Sequence, residues 1–296
     1  MKEFRCAADP GSARTSHVKV GGERLWTMSS DIGEFLQARR TRVSPENFGL
    51  PSTGRRRVQG LRREELAMLA GVSVDYYTRV EQGRAESVSD TILGAIAEVL
   101  GLDDTERAHL LLLARPPRED STMPEQHVRP GVRRLLDSMP DVPAFVAGRW
   151  QEILATNALG AALLPAGLHE GSNSARFVFL DPESQNYYLD WADVAADTAA
   201  TLRWETGVHP GDPVLARLIG ELSIESPSFT NLWAQQDVQV KSHGTKRVVH
   251  PSVGLLLLDY ETLALPDDSD EILVTYVARD SSSAAALEIL KELARR

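Results

Sequence analysis

The stretch LRREELAMLAGVSVDYYTRVEQGR, Leu61 to Arg84, constrains this chain more than any other. It holds two short helical patterns hinged on Ala70-Gly71. Two short helices that cross closely need a small residue at the crossing, and Ala67 stands there. The turn between them needs a left-handed backbone, and Gly71 adopts positive φ at little cost. Apolar side chains must fill the crossing, and Leu66, Ala70, Val72, Tyr77 and Val80 occupy those places. Ser73 is positioned to cap the second helix. Every slot of a helix-turn-helix is filled.

In such a unit the second helix enters the major groove of DNA. Here it is Ser73 to Glu81, with Ser73, Val74, Asp75, Tyr76, Thr78 and Arg79 outward. Arg79 is suited to a bidentate pair with guanine, and Val74 to a thymine methyl. Asp75 is placed either to accept from a cytosine amino group or to orient a neighbouring arginine. Arg63 starts the first helix, where phosphate contacts are made, and Arg62 and Arg84 flank the same face. Phosphate contacts position such a domain, whereas base contacts specify its site. A plainer reading of Arg62, Glu64 and Glu65 is a solvated helix face.

A formal net charge of −10 argues superficially against nucleic acid. The charge is unevenly distributed. From Asp31 to Arg84, ten arginines stand against seven acids, a local balance of +3; from Pro130 to Arg296, thirteen bases stand against twenty-three acids. Phosphate responds to the local face and not to the whole-chain sum. A basic head on an acidic body is compatible with DNA binding and suggests that the body stays off the DNA.

The chain divides into four parts on this reading. Residues 1–30 have no sustained periodicity and read as a disordered extension, with Met28 an alternative start. Residues 31–114 form an all-α, five-helix domain, with helices expected near 31–43, 62–69, 73–82, 89–100 and 103–113, and a loop carrying Arg55 to Arg57. Residues 115–130 are a linker rich in proline and charge. Residues 131–296 form an α+β domain. PAFVAGRWQEILATN predicts a strand pair and ARFVFLD a further strand. The segments from Tyr187 to Asp237 predict helices. DVQVKSHGTKRVVHPSVGLLLLDYETLAL predicts a hairpin or meander around His243-Gly244, with His250 at a strand start, and EILVTYVARD predicts a last strand before a final helix. Strands, helices and then antiparallel strands mean α+β and not a parallel βαβ sheet.

Catalytic patterns are missing from the sequence. None of the seven histidines sits in HExxH, and there is no Gly-x-Ser-x-Gly elbow, phosphate loop or GxGxxG after a strand. One cysteine, Cys6, excludes an internal disulfide framework and a cysteine-rich zinc site. No apolar run reaches the roughly 18 residues of a membrane helix. The expectation is a cytoplasmic, non-enzymatic protein without cofactor or metal and without membrane attachment.

RREELAMLAGVS with VEQGR resembles the lambda-repressor/Cro-like (XRE-type) helix-turn-helix domains. The fuller string GLRREELAMLAGVSVDYYTRVEQGR is similar to the MmyB-like branch of that superfamily. PAFVAGRWQEILATNALGAALL, FVFLDPES, LDWADVAADTAATLR, LIGELSIESPSFTNLWAQQDV and HPSVGLLLLDYETLALP resemble the C-terminal domain of that family. The resemblance covers about residues 31–296. It implies a PAS-like C-terminal domain proposed to bind a small lipophilic, fatty-acid-like molecule, and a transcription regulator that binds double-stranded DNA as a homodimer on a palindromic operator.

Candidate ligand residues in the second domain are Phe145, Trp150, Asn157, Trp191, Arg203 and Trp233. Aromatic walls with a few polar groups suit a small-molecule site. The plainer and favoured reading of each is structural: the aromatics fill a core, Asn157 caps a helix, and Arg203 and Arg247 form surface salt bridges. The alternative role for this domain is protein interaction or dimerisation without a ligand.

Overall fold

Helix starts in the first domain are set by short polar side chains that satisfy free backbone N–H groups. The computed structural model describes residues 31–50, 60–85, 87–116, 126–266 and 270–295. The expectations for residues 1–30, Arg55 to Arg57 and most of the linker lie outside them. The first domain comprises α1 (Asp31–Arg42), a 3-10 turn (Pro45–Phe48), α2 (Arg63–Leu69), α3 (Val74–Glu81), α4 (Asp90–Leu100) and α5 (Asp104–Ala114). Ser73 Oγ accepts from the Tyr76 amide at 3.2 Å, and Ser89 Oγ from Ile92 at 3.3 Å. Asp103 and Glu106 cap each other's amides at 2.8 and 3.0 Å. Each such cap stabilises by about 1 kcal/mol. Gly71 has φ +68°, the left-handed turn the α2–α3 crossing requires. Phe35, Leu36, Leu66, Ala67, Tyr77 and Ile96 are fully buried between these helices.

The second domain runs α6 (Pro130–Asp137), β1 (Ala144–Ala147), β2 (Ile153–Thr156), α7 (Ala158–Leu163), α8 (Ser174–Leu180), α9 (Glu183–Tyr187), α10 (Trp191–Val208), α11 (Pro213–Glu225), α12 (Pro227–Trp233), β3 (His243–His250), β4 (Gly254–Ala264), β5 (Ile272–Ala278) and α13 (Ser281–Ala294). The five strands form one antiparallel sheet in the order β2-β1-β5-β4-β3. Helices α7 and α13 pack on one face. Helix α6 covers the other face near β1 and β2 through Val132 and Leu136. Helices α8, α10, α11 and α12 share a separate core around Leu202, Leu222 and Phe229. The chain is thus a two-domain protein, all-α and then α+β.

Three local expectations differ from the structure. ARFVFLD is a helix, α8, and not a strand. A short apolar run reads the same for a strand and a buried helix. Asn173 decides it by accepting from the Arg176 amide at 3.0 Å, and the helix then wedges between two cores, Phe177 facing the sheet and Val178 and Phe179 the helical layer. The hairpin turn falls at Pro251 to Val253 and not at His243-Gly244. Gly244 lies inside β3, where a Cβ would come within 2.9 Å of the Tyr260 ring. His250 accordingly ends β3 and does not begin a strand; its Nδ1 accepts from the Ser252 amide at 3.2 Å.

The two domains are joined by specific contacts. Helix α10 packs against α5, where His109 sits between Phe35, 5.4 Å away, and Trp204, 6.3 Å away. The late arginines of α1 do more than suit its dipole. Arg39 is buried and donates to the Gln236 carbonyl at 2.8 Å, with Asp237 at 3.2 Å and Glu106 at 2.8 Å. Arg42 meets the same Asp237 at 2.6 Å. Val238 packs against the core of the first domain.

Candidate nucleic-acid interface and ligand cavities

Helix α3 presents its outward face as the spacing requires. Ser73, Val74, Asp75 and Arg79 are exposed, Tyr76 and Thr78 half-buried, and Tyr77 and Val80 form the buried side. The Arg79 guanidinium lies 5.6 Å over the Tyr76 ring, which holds it along the helix surface. Arg62 and Arg84 are exposed at the edges of the same unit. Second-domain contacts to the first domain are made at α1 and α5 and leave these side chains uncovered.

Arg63 is also tied into the domain. Its Nε and Nη2 donate to Glu81 Oε2 and Oε1, both at 3.1 Å. Glu81 is buried and also receives Arg40 Nη2 at 3.2 Å. The Glu81 partnership raises the pKa of Arg63 further above its ordinary value. Glu81 was not singled out from sequence, although a signal existed. A carboxylate at the C-terminal end of a helix opposes the dipole and needs a cation to hold it.

Two cavities flank α10. The inner one, about 50 Å³, lies between the sheet and α10, lined by Phe145, Tyr188, Asp197, Lys241, Lys246 and Tyr276 among others. Lys246 Nζ is 3.9 Å from Asp197 and 5.5 Å over the Tyr260 ring. Burial, and then the charge of Lys246, pushes the Lys241 ammonium down to about 8, and burial lowers Lys246 too. Burial also pushes the Tyr188 and Tyr276 hydroxyls up. The signal for Lys246 was the period of two along β3. It shares the inward side with Val248 and His250, a costly place for an ammonium.

The outer cavity, about 140 Å³, lies at the domain junction, with Glu34 from α1, Leu113 from α5, and Arg203, Leu215 and Trp233 in its walls. The six ligand candidates therefore separate. Phe145 lines the inner cavity; Arg203 and Trp233 line the outer one. Trp150, Asn157 and Trp191 line neither and have structural partners. Trp150 Nε1 donates to Asp212 at 2.8 Å, and Trp191 Nε1 to the Val178 carbonyl at 2.9 Å. Asn157 caps α7 by accepting from Gly160 at 2.7 Å and donates to the Met139 and Val142 carbonyls. Arg247 pairs with Asp190.

Residues 128–290 match the model of the MmyB-like transcription regulator ligand binding domain. Residues 31–110 match a helix-turn-helix domain model. No curated protein matches the chain significantly. Among the described residues no helix is long and apolar enough to cross a membrane. A helix-turn-helix with its reading face exposed, joined to a domain whose family model spans more than half the chain, makes this protein a DNA-binding transcriptional regulator of the MmyB-like family.

Proposed function

We propose that the protein reads a palindromic operator as a homodimer in the cytoplasm and senses a small lipophilic molecule with an acidic head in the inner cavity. The residues assigned to DNA are Arg62, Arg63, Ser73, Val74, Asp75, Tyr76, Thr78, Arg79 and Arg84. Phe145 and Tyr276 supply apolar wall, and Lys241 and Lys246 supply charge for a carboxylate. The five-stranded antiparallel sheet, with α7 and α13 packed on one face and α6 over part of the other, supports the PAS-like reading of this domain.

One observation carries the sensing role. The strap from Gln235 to Lys241 touches both the DNA-binding domain and the inner cavity. At its start, Arg42 meets the Gln235 carbonyl and Arg39 the Gln236 carbonyl and Asp237. At its end, Gln239 and Lys241 line the cavity. Helix α10 bridges the same two places, with Asp197 and Thr201 at the cavity and Trp204 against His109. A volume of about 50 Å³ is far below the roughly 300–1,000 Å³ of a typical ligand pocket. A lipid-sized ligand enters only if these walls part, and the walls are attached to α1 and α5. The ligand therefore discriminates between two arrangements of the domains, which is what coupling requires. The reading helix is uncovered in the docked arrangement, so the effect on DNA is on the placement of two reading helices in a dimer.

The test is selection of random duplex DNA by the full chain, followed by titration of the enriched site with and without a long-chain fatty acid. An enriched palindrome and a fatty-acid-dependent shift in affinity, lost in Lys241→Ala/Lys246→Ala, are expected. No enriched sequence by a folded chain would sink the DNA reading; an unshifted affinity would sink the sensing. The small cavity also favours a second reading, in which it never opens and the domain serves dimerisation alone. Native mass spectrometry separates the two by the presence or absence of a co-purifying lipid.

A further inference from the structure

We propose that the outer cavity, at the junction of the two domains, is a second binding site, for a small zwitterion with an apolar side chain, of the free amino-acid class. The cavity measures about 140 Å³. An apolar cavity of about 150 Å³ takes a ligand the size of benzene. The volume as it stands therefore suits a molecule of that order.

Its walls carry both signs of charge. Arg203 is buried, stacks 3.8 Å over the Trp233 ring and donates one Nη to the Trp233 carbonyl at 2.7 Å. Among the described residues no carboxylate lies within 4 Å of its guanidinium, so the cation is aimed and held but not neutralised by contact. Burial lowers its pKa to about 10, while the more distant charges of Asp31 and Glu34 act to raise it. Glu34 lines the same cavity from α1, with Asp31 one helical turn before it; burial and the Asp31 charge raise the Glu34 pKa. Glu34 accepts from Gln236 Nε2 at 3.3 Å. Leu113, Leu215 and Ile219 supply apolar wall beside Trp233.

A simple anion attracted to Arg203 is repelled by the two carboxylates, and a simple cation attracted to Glu34 is repelled by Arg203. A zwitterion satisfies both: its carboxylate takes the arginine fork and its ammonium the acidic edge. Its side chain fills the leucine-lined wall. Such a ligand touches α1 and α5 of the DNA-binding domain together with α10, α11 and α12. It therefore stabilises the docked arrangement by binding only where the two domains meet. This site is separate from the lysine-lined cavity and stands whether or not that cavity takes a lipid.

The experiment is calorimetric titration of the full chain with L-leucine and L-phenylalanine, each compared with its carboxamide and its N-acetyl derivative. At least one amino acid is expected to bind in the micromolar to millimolar range, with each derivative about tenfold weaker or more. Glu34→Gln preserves shape on an exposed helix face and is expected to weaken the amino acid at least about tenfold. Ala216→Phe, which places a ring at the cavity wall, is expected to abolish binding. No binding of either amino acid, equal binding of the derivatives, or indifference to Glu34→Gln would overturn the proposal. The readout needs no DNA, so its failure leaves operator reading untouched; a chain that binds leucine and no operator would overturn the proposed function and leave this site standing.

Discussion

Arg63, the first residue of α2, and Glu81, the last of α3, are joined by two parallel hydrogen bonds of 3.1 Å each across the helix-turn-helix. Glu81 is almost inaccessible, whereas the Arg63 side chain is 46% exposed, and Arg40 reaches the same carboxylate from beneath. The pair ties the start of α2 to the end of α3. It also leaves a cationic edge above a buried acid.

Removing the acid is costlier than removing the exposed arginine. Glu81→Ala strands Arg40 in the core, and loss of one partner of a buried pair costs about 3–5 kcal/mol. Arg63→Ala leaves Glu81 paired with Arg40 and is expected to cost about 1 kcal/mol or less, as exposed partners do. Urea denaturation of the two variants gives the order directly. In DNA binding the Arg63 variant is expected to weaken all sequences alike and to flatten the salt dependence.

Arg79→Ala is expected to cost roughly 1–3 kcal/mol on the preferred site and to relax selectivity at one base pair. Affinity measured on the operator and on single-base variants decides this. An equal loss on every sequence would place Arg79 on phosphate.

Asp237 links the strap to both Arg39 and Arg42 and is half exposed. Asp237→Asn is therefore expected to change global stability by no more than about 1 kcal/mol. Its local effect is larger. Amide exchange should quicken at the C-terminal end of α1 and from Gln235 to Lys241, with α3 unchanged. Unchanged exchange in the strap would mean that these arginines do not hold it.

His109 gives the junction a pH dependence. Burial pushes its imidazole down to about 3, with the charges of Arg203 and Arg39 acting the same way. The unfolded chain takes up this proton near pH 6.5 and the folded chain does not until about 3. Stability from this group is therefore whole above about pH 6.5 and falls as pH drops toward 3, by up to about 1.4 kcal/mol per pH unit. Glu205, raised to about 7 by burial, acts oppositely between its ordinary value and neutrality. The difference between the parent and His109→Phe isolates the histidine. A parallel pH profile for the two would refute the assignment.

The helix-turn-helix was legible because its demands are local. Small Ala67, left-handed Gly71, the Ser73 cap and the apolar positions of α2 and α3 are each fixed by neighbours within a few residues. Helix ends were legible for the same reason, since Ser89, Asp103 and Gly101 satisfy or release backbone groups beside them. ARFVFLD was misread although Asn173 supplies a local cap, because a short apolar run has the same pattern in a strand and in a helix packed between two cores.

The sequence by itself determined a basic helix-turn-helix head, an acidic α+β body and which side chains of α3 face outward, since periodicity, capping and charge act over short distances. The tertiary structure alone decided which charges meet. Glu81 finds Arg63 and Arg40, Asp237 finds Arg39 and Arg42, and Lys246 turns inward beside Asp197. These partners lie 18 to 198 residues apart or on different elements, and only the packing of one element on another sets their distance and their burial.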